Sequence, residues 1–301
     1  MSLRLNLAPE DYRTILESLP IAVYAVDPER RIAFWNDGCE RITGYLRHEV
    51  IGRVCADDLL MHCDQSCRIL CGAGCPLADT MRDGRPREAD VFLRHKAGYR
   101  VPVRVRAVPI RDSHDVIVGA CECFDERTVV LPGLGGAQRT LPSGQPDQPG
   151  ETSQAVLLRR LESDLRCVAE TQVPLGLLQI GIDHLDQLRA KGGSKAVEAV
   201  MDATAQTLAR SVGPGNEVAR WADGQFIVVL RGCSKSALME CANTLLALGG
   251  MEAVPWWGTR LTVNLSAGGS LAYPGEAPAD LIQRAGEALL KVEGKNRVEV
   301  V

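Results

Sequence analysis

The chain has 301 residues, which is enough for two domains of ordinary size. It is 46% hydrophobic and 24% charged, so its composition excludes a wholly disordered chain and a collagen-like fibre. The formal net charge of −4 and the 4% of aromatic residues disfavour a nucleic-acid partner. No apolar run approaches the roughly 20 residues of a membrane span, and the first residues lack a signal peptide's apolar region. We therefore expect a cytoplasmic protein with no nucleic-acid or membrane partner.

The first half of the chain, 10–128, has a mixed pattern of short helices and strands. In chain order, the pattern predicts a helix at 11–19, strands at 21–26 and 31–35, short helices within 37–60, and strands at 89–93, 99–109 and 116–124. Valines alternate with arginines along 101–106, as expected for a strand of a half-buried antiparallel sheet.

Residues 129–153 contain four prolines and five glycines without apolar periodicity, which predicts a linker. Beyond it, the chain alternates between helices and strands. The predicted elements are helices at 157–170, 195–212, 236–248 and 281–292, and strands at 175–182, 217–221, 225–230 and 261–272. Asp223-Gly224 predicts a hairpin turn between the second and third of these strands. The second half, 154–301, is therefore expected to form a sheet flanked by helices.

The first segment resembles a PAS domain over 10–128. The resemblance is carried by Asp27, by Trp35-Asn36, by Thr43-Gly44-Tyr45, by Ile51-Gly52 and by the closing run 100–128. It implies an α+β fold with a five-stranded antiparallel sheet, helices, and a pocket able to hold a ligand.

The second segment resembles the GGDEF domain of diguanylate cyclases over most of 154–301. The resemblance is carried by the stretches 175–186, 218–230, 265–275 and 285–298. Such enzymes join two GTP molecules into cyclic di-GMP across a dimer. It implies a nucleotidyl-cyclase-like sheet flanked by helices.

The same resemblance identifies the positions at which the metal-binding carboxylates would stand. The chemistry needs a divalent cation on the GTP phosphates, held by carboxylates. The first acidic position of the family's DID motif is Gly181 here, and two acidic positions of its signature are Gly224 and Gln225. Glycine has no side-chain ligand and glutamine offers only a neutral oxygen. We therefore expect a catalytically degenerate domain, with a rewired metal site at Asp183 and Asp223 as an alternative.

Nucleotide recognition is also altered at the positions that the resemblance identifies. The family's guanine-binding Asn is Arg189, and its Asp is Glu198, which remains the one candidate nucleotide-binding residue. The charged residues of the family's inhibitory product site are absent from the run Gly-Pro-Gly-Asn at 213–216. We therefore expect GTP binding to be weak or absent.

Five of the eleven cysteines lie between positions 55 and 75. Cys63, Cys67, Cys71 and Cys75 are four residues apart, a spacing that suits a zinc site or an iron–sulfur cluster. Two alternatives stay open: a reversible thiol–disulfide switch, or reduced thiols with no role. The ending Cys71-x-x-x-Cys75-Pro76-Leu77 also resembles a pattern in some PAS domains attached to GGDEF domains, and by that resemblance Cys71 and Cys75 act as a pair.

The sequence disfavours a flavin cofactor. Cys55 lies near the position of the photoreactive cysteine in flavin-binding LOV domains, but the rest of that motif is absent. Residues 76–128 contain neither Asn nor Gln, the amides that would bind the edge of a flavin ring.

Together these features predict a signalling protein in which a PAS sensor is joined to a degenerate GGDEF domain. We expect that domain to be an interaction or dimerisation module, with a protein partner or a second copy of the chain. Two alternatives stay open: a diguanylate cyclase with weak residual activity, and a metal or redox sensor built on the cysteine cluster.

Overall fold

The computed structural model describes residues 8–127 and 153–301, which divide into two compact units, 8–97 with 101–127 and 98–100 with 153–301. The linker predicted at 129–153 lies, except for its last residue, outside the described residues. No helix in the described ranges combines the length and apolar content needed to cross a membrane.

The first unit is built on a five-stranded sheet. Its elements are α1 (Pro9–Ser18), β1 (Ala22–Val26), β2 (Ile32–Trp35), α2 (Asp37–Thr43), α3 (Arg47–Val50), α4 (Pro76–Asp83), β3 (Arg87–Arg94), β4 (Arg100–Arg111) and β5 (Ile117–Glu126). The strand order is β2-β1-β5-β4-β3, and β1 pairs antiparallel with both β2 and β5. Helix α2 packs on β1, and α4 packs on β3 and β5. The expected five-stranded sheet with helices is confirmed.

Alternating side chains of the strands form the core of this unit. Tyr24, Trp35, Phe92 and Phe124 are buried, and the rings of Tyr24 and Trp35 lie 5.5 Å apart. Burial of such aromatic side chains contributes a large share of the stability of a small domain.

The second unit is a five-stranded sheet covered by helices on both faces. Its elements are α5 (Ser153–Thr171), β6 (Leu175–Ile182), α6 (Leu185–Ser211), β7 (Glu217–Ala222), β8 (Gln225–Arg231), α7 (Lys235–Gly250), β9 (Val254–Trp256), β10 (Thr259–Leu261), β11 (Leu265–Leu271), α8 (Pro278–Val292) and β12 (Val298–Val300). The strand order is β12-β11-β6-β8-β7, and β9 and β10 form a separate hairpin. Strand β6 is buried along its whole length because it lies at the centre of the sheet.

The two faces of β6 contribute to two different cores. Leu178, Ile180 and Ile182 pack with residues of α6 and α7. Leu175 and Leu177 pack with residues of α5 and α8 on the opposite face. This division follows from the period-2 alternation of a strand. The expected sheet flanked by helices is thus confirmed.

Several element bounds differ from the sequence-based expectation. Helix α6 begins at Leu185 rather than at 195, and the helix is interrupted at Gly193, whose φ of 74° is not helical. The glycines at this break weaken the apolar periodicity on which the prediction depends. Helix α4 and the three-residue strands β9, β10 and β12 were not predicted separately, since short elements carry few periodic positions.

Candidate functional site

The positions expected to carry metal ligands lie together at one end of β6. Gly181 is the cross-strand partner of Gln225, and Gly224 lies in the turn between β7 and β8. None of these three positions supplies a carboxylate. The Gln225 amide oxygen already accepts a hydrogen bond from the Gln179 amide at 2.8 Å. A divalent metal of the kind used in phosphoryl chemistry requires several oxygen ligands, so these residues do not fit it.

The backbone and surroundings of two of these positions also disfavour a metal site. A Cβ at Gly181 would be in ordinary contact with the Leu289 methyl groups, at 3.5 Å and 3.7 Å, so this position faces an apolar side chain of α8. Gly224 has a φ of +72°, and a Cβ there would approach Leu185 Cδ2 to 2.7 Å. The turn at Asp223-Gly224, predicted from the sequence, is confirmed, and it requires glycine at its second residue.

Asp183, at the end of β6, has a structural role. Its side chain is 5% exposed and accepts three hydrogen bonds. The donors are Ser266 Oγ at 3.0 Å, the Gly294 amide at 2.9 Å and the Asn296 amide at 3.2 Å. The carboxylate therefore fastens the loop after α8 to the end of the central strand. A buried carboxylate satisfied in this way is a poor candidate for metal binding.

Arg189 occupies the surface beside the turn. Its guanidinium donates to the Asp186 carboxylate at 3.1 Å and also pairs with Asp223. Asp223 is thereby engaged by a cation, which competes with a metal ion for the same carboxylate. The alternative metal site at Asp183 and Asp223 consequently consists of one internally bonded carboxylate and one ion-paired carboxylate.

Glu198, the candidate nucleotide-binding residue, lies on α6 in a second ion-pair network. The Arg220 guanidinium donates to Glu198 at 2.7 Å and to Asp202 at 2.5 Å. Glu198 is exposed, so its carboxylate is accessible to solvent while it is paired. In this arrangement Arg220 competes with a guanine base for the Oε1 of Glu198.

The four equally spaced cysteines lie between α3 and α4, and only two of them line the same cavity. Cys63 is buried, and its backbone forms bridges to Ile69 and Phe92. Cys67 lies at a turn with a φ of 59°, whereas Cys71 and Cys75 line a small cavity. Among the residues that the structure describes, no group of three or more His, Cys, Asp or Glu side chains is arranged to hold a metal ion.

The cavity brings together residues that the sequence pattern did not group. Cys71 and Cys75 share it with Cys55, His62, Tyr24 and Arg30. Burial raises the pKa of the Cys55 thiol to about 12.

Tyr24, which lines this cavity, is hydrogen-bonded to the buried carboxyl group of Glu122, a residue that the sequence reasoning missed. The Tyr24 hydroxyl donates to Glu122 at 2.9 Å, and both side chains are 1% exposed. Burial raises the pKa of Glu122 to about 7, against the opposing effect of the Tyr24 hydrogen bond. A signal for this position exists in the sequence, because period-2 alternation along β5 places Glu122 on the same face as the buried Ala120 and Phe124.

Two family descriptions match the chain. Residues 19–128 match the family described as a PAS domain, and residues 152–298 match the family described as "Diguanylate cyclase, GGDEF domain". A curated relative, Diguanylate cyclase A of Treponema denticola, is 27% identical over 132 residues. That match covers 43% of this chain and 36% of the relative, so the chain spans about a third of the relative's length.

Solved structures resemble each half of the chain. A sensory box/GGDEF family protein from Caulobacter crescentus is 27% identical, with a TM-score of 0.43, and covers 46% of this chain and 90% of its own. A PAS domain from Colwellia psychrerythraea is 18% identical, with a TM-score of 0.33, and covers 39% of this chain and 95% of its own.

Proposed function

We propose, because this chain carries a PAS domain followed by a GGDEF domain, that it is a signalling protein whose GGDEF domain makes no cyclic di-GMP and acts as an interaction module. In this proposal the PAS domain receives the signal. The GGDEF domain transmits it through a protein partner or a second copy of the chain.

One observation carries the proposal. The cross-strand pair at the end of β6 is Gly181 with Gln225, where the catalytic chemistry needs carboxylates. Without these charges, a metal ion and the phosphates that it would neutralise lack their principal ligands. The apolar contact available at Gly181, with Leu289, supports the same conclusion.

Arg189 and Glu198, which stand at the positions expected to bind guanine, are engaged in ion pairs. Arg189 is paired with Asp223 and Asp186, and Arg220 is paired with Glu198 and Asp202. These oppositely charged side chains form ion pairs with one another at the surface. Exposed pairs of this kind are individually weak, so they leave a charged surface that is available to a protein partner.

A second candidate function is a weak diguanylate cyclase. It is favoured by the similarity to a relative that is named as such, and by the presence of Asp183 and Asp223 beside the altered positions. The hydrogen bonds of Asp183 and the ion pair of Asp223 with Arg189 weigh against it.

A cyclase assay on the full chain distinguishes the two functions. The protein is incubated with GTP and either Mg²⁺ or Mn²⁺, and cyclic di-GMP is quantified by mass spectrometry. The proposed function predicts no product above a heat-denatured control. It also predicts none for the double variant Gly181→Asp with Gln225→Glu, because position 224 still lacks a carboxylate.

Product formation by the wild-type chain, increased in the double variant, would establish the cyclase instead. Gly224 is unsuitable for restoring a carboxylate, because its φ of +72° and the proximity of Leu185 would strain any side chain. Sedimentation analysis of the same samples tests self-association. A strictly monomeric protein would contradict dimerisation and leave a heterologous partner as the proposed one.

A further inference from the structure

The small cavity of the first unit contains three thiols. Cys55, Cys71 and Cys75 line it together with His62, Tyr24 and Arg30. Its volume is about 10 Å³, which is roughly the room that one water molecule needs. A space of this size holds about one water molecule, and it excludes a peptide thiol such as glutathione.

Cys75 lies at the N-terminus of a helix. It is the N-cap residue of α4, whose first helical residue is Pro76, and its side chain makes no capping hydrogen bond. Burial raises the pKa of the Cys75 thiol, while the Ala78 and Leu77 N–H groups act in the opposite direction. The N–H groups at a helix N-terminus stabilise a thiolate, which is the nucleophilic form of cysteine.

Cys71 lies next to the Arg30 guanidinium, which also lines the cavity. The Arg30 guanidinium donates to the Cys71 carbonyl at 3.2 Å, and its charge partly offsets the burial that leaves the pKa of both Cys71 and Cys75 above its ordinary value. Both thiols are half-buried, whereas Cys55 is buried. The two half-buried thiols are therefore the ones within reach of a small oxidant.

The backbone between these two cysteines is suited to rearrangement. The three residues from Gly72 to Gly74 include two glycines, and Gly74 has a φ of +83°. A Cβ at Gly72 would meet no atom within 4 Å, so no neighbour restrains the segment there. Two hydrogen bonds hold the segment at its ends. The Leu70 amide donates to the His62 carbonyl at 2.8 Å, and the Asp79 amide donates to the Cys75 carbonyl at 3.0 Å. The backbone between these two hydrogen bonds can thus change its conformation while α4 stays folded.

We propose that Cys71 and Cys75 are a redox-active pair that forms a reversible disulfide when hydrogen peroxide oxidises Cys75. The Cys75 thiolate attacks one peroxide oxygen, the O–O bond breaks, and the leaving hydroxide takes up a proton to become water. The Cys71 thiolate then attacks the sulfur of the Cys75 sulfenic acid, and a second water leaves. Two thiols thereby lose two electrons and two protons, and one peroxide is reduced to two waters. A dithiol reductant reverses the reaction by thiol–disulfide exchange.

This inference concerns the first unit alone and does not depend on whether the GGDEF domain is a cyclase. It also differs from a resident metal site. In the described ranges no set of three His, Cys, Asp or Glu side chains is placed around one ion position, whereas a disulfide needs only two sulfurs.

The test uses the full chain, purified under anaerobic conditions and treated with an equimolar amount of hydrogen peroxide. Tryptic cleavage after Arg68 and Arg82 releases the fragment 69–82, which contains Cys71 and Cys75 and no other cysteine. We expect this fragment to lose two hydrogen atoms and both sites of alkylation. A dithiol should restore both sites.

Three variants assign the roles. In Cys71→Ser, Cys75 should stop at a sulfenic acid that a 1,3-diketone traps. In Cys75→Ser, Cys71 should keep its alkylation site over the same time. Cys67→Ser is the matched control, because Cys67 is half-buried like Cys71 and lies four residues before it, and this variant should oxidise as the wild type does.

Three results would overturn the proposal. The first is retention of both alkylation sites in peroxide-treated wild type. The second is a disulfide that joins either residue to Cys55 or Cys67 instead. The third is stoichiometric zinc or iron in the purified protein that is lost in Cys71→Ser, which would identify a metal centre.

Discussion

Asp183 shows how an acidic residue at the end of a buried strand can have a structural role. Its buried carboxylate accepts hydrogen bonds from Ser266, Gly294 and Asn296, and so joins the end of the central strand to the loop after α8. The sequence identified Asp183 as a possible ligand because it is acidic and follows a buried strand. Its partners lie about 80 or more residues away in the chain, so only the fold shows that they are there.

The structural role of Asp183 makes a first prediction. Asp183→Asn replaces one acceptor oxygen with an NH₂ group that faces a donor, and we expect the free energy of unfolding to fall by about 1–3 kcal/mol. Asp223→Asn is the matched control, because Asp223 is exposed and its pair with Arg189 is a surface ion pair, with an expected loss below about 1 kcal/mol. Urea unfolding followed by fluorescence measures both. Equal losses of unfolding free energy in the two variants would contradict the structural role of Asp183.

Glu122 makes a second prediction, on pH. Its pKa is raised by burial from 4.5 to about 7 in the folded protein. A carboxyl with a raised folded pKa contributes its full stability below about pH 4.5, and that contribution is lost as the pH rises toward 7. The loss corresponds to about 3 kcal/mol at most.

Glu122→Gln keeps the shape of the side chain and the partner of Tyr24, but it cannot titrate. We therefore expect the unfolding free energies of the wild type and the variant, measured by urea titration at intervals from pH 4.5 to 8, to diverge progressively up to about pH 7. A constant difference across this range would show that Glu122 does not carry the pH dependence.

At the scale of elements, strands that are buried on one or both faces were predicted well. The run at 175–182 coincides with β6, because an uninterrupted apolar segment bounded by polar residues is typical of a central strand. Helix α6 was predicted too short, since Gly192 and Gly193 interrupt its pattern. Helix α4, which carries Cys75 at its N-terminus, was missed as a separate element because it has only eight residues. The missed helix is the element on which the redox inference depends.

The turn between β7 and β8 makes a third prediction. Gly224→Ala places a Cβ at a φ of +72° and 2.7 Å from Leu185 Cδ2. Gly232→Ala is a matched control, since Gly232 has the same φ of +72° and a Cβ there would meet nothing within 4 Å. The control should lose about 1 kcal/mol of unfolding free energy through backbone strain alone.

Gly224→Ala should lose more than the control, because Leu185 must also move. Thermal unfolding monitored by circular dichroism compares the two variants. If both lose the same amount of stability, the contact with Leu185 is not a constraint on the turn.

At the scale of the whole molecule, the pattern of two domains was predictable from the sequence, because each half has its own apolar periodicity and its own motifs. The described residues divide into two compact units, and the two family matches fall on the two halves of the chain. The bounds of the linker at 129–153 stay a prediction.

The cysteines show where sequence reasoning ends. Even spacing suggested one group of Cys63, Cys67, Cys71 and Cys75. The fold instead places Cys71 and Cys75 beside Cys55 and His62, because a loop without regular structure does not preserve sequence spacing in space. Arg30, from the turn between β1 and β2, joins the same cavity and could not be foreseen from its neighbours.

The absence of side-chain carboxylates at positions 181 and 224 could be read from the chain alone, since glycine supplies none in any fold. Alternation and apolar periodicity likewise specify most strands and helices, because they reflect local geometry. The roles of the remaining polar groups depend instead on contacts between distant segments. Whether Asp183 binds a metal or a loop, and which thiols share a cavity, was settled only when folding brought those segments into contact.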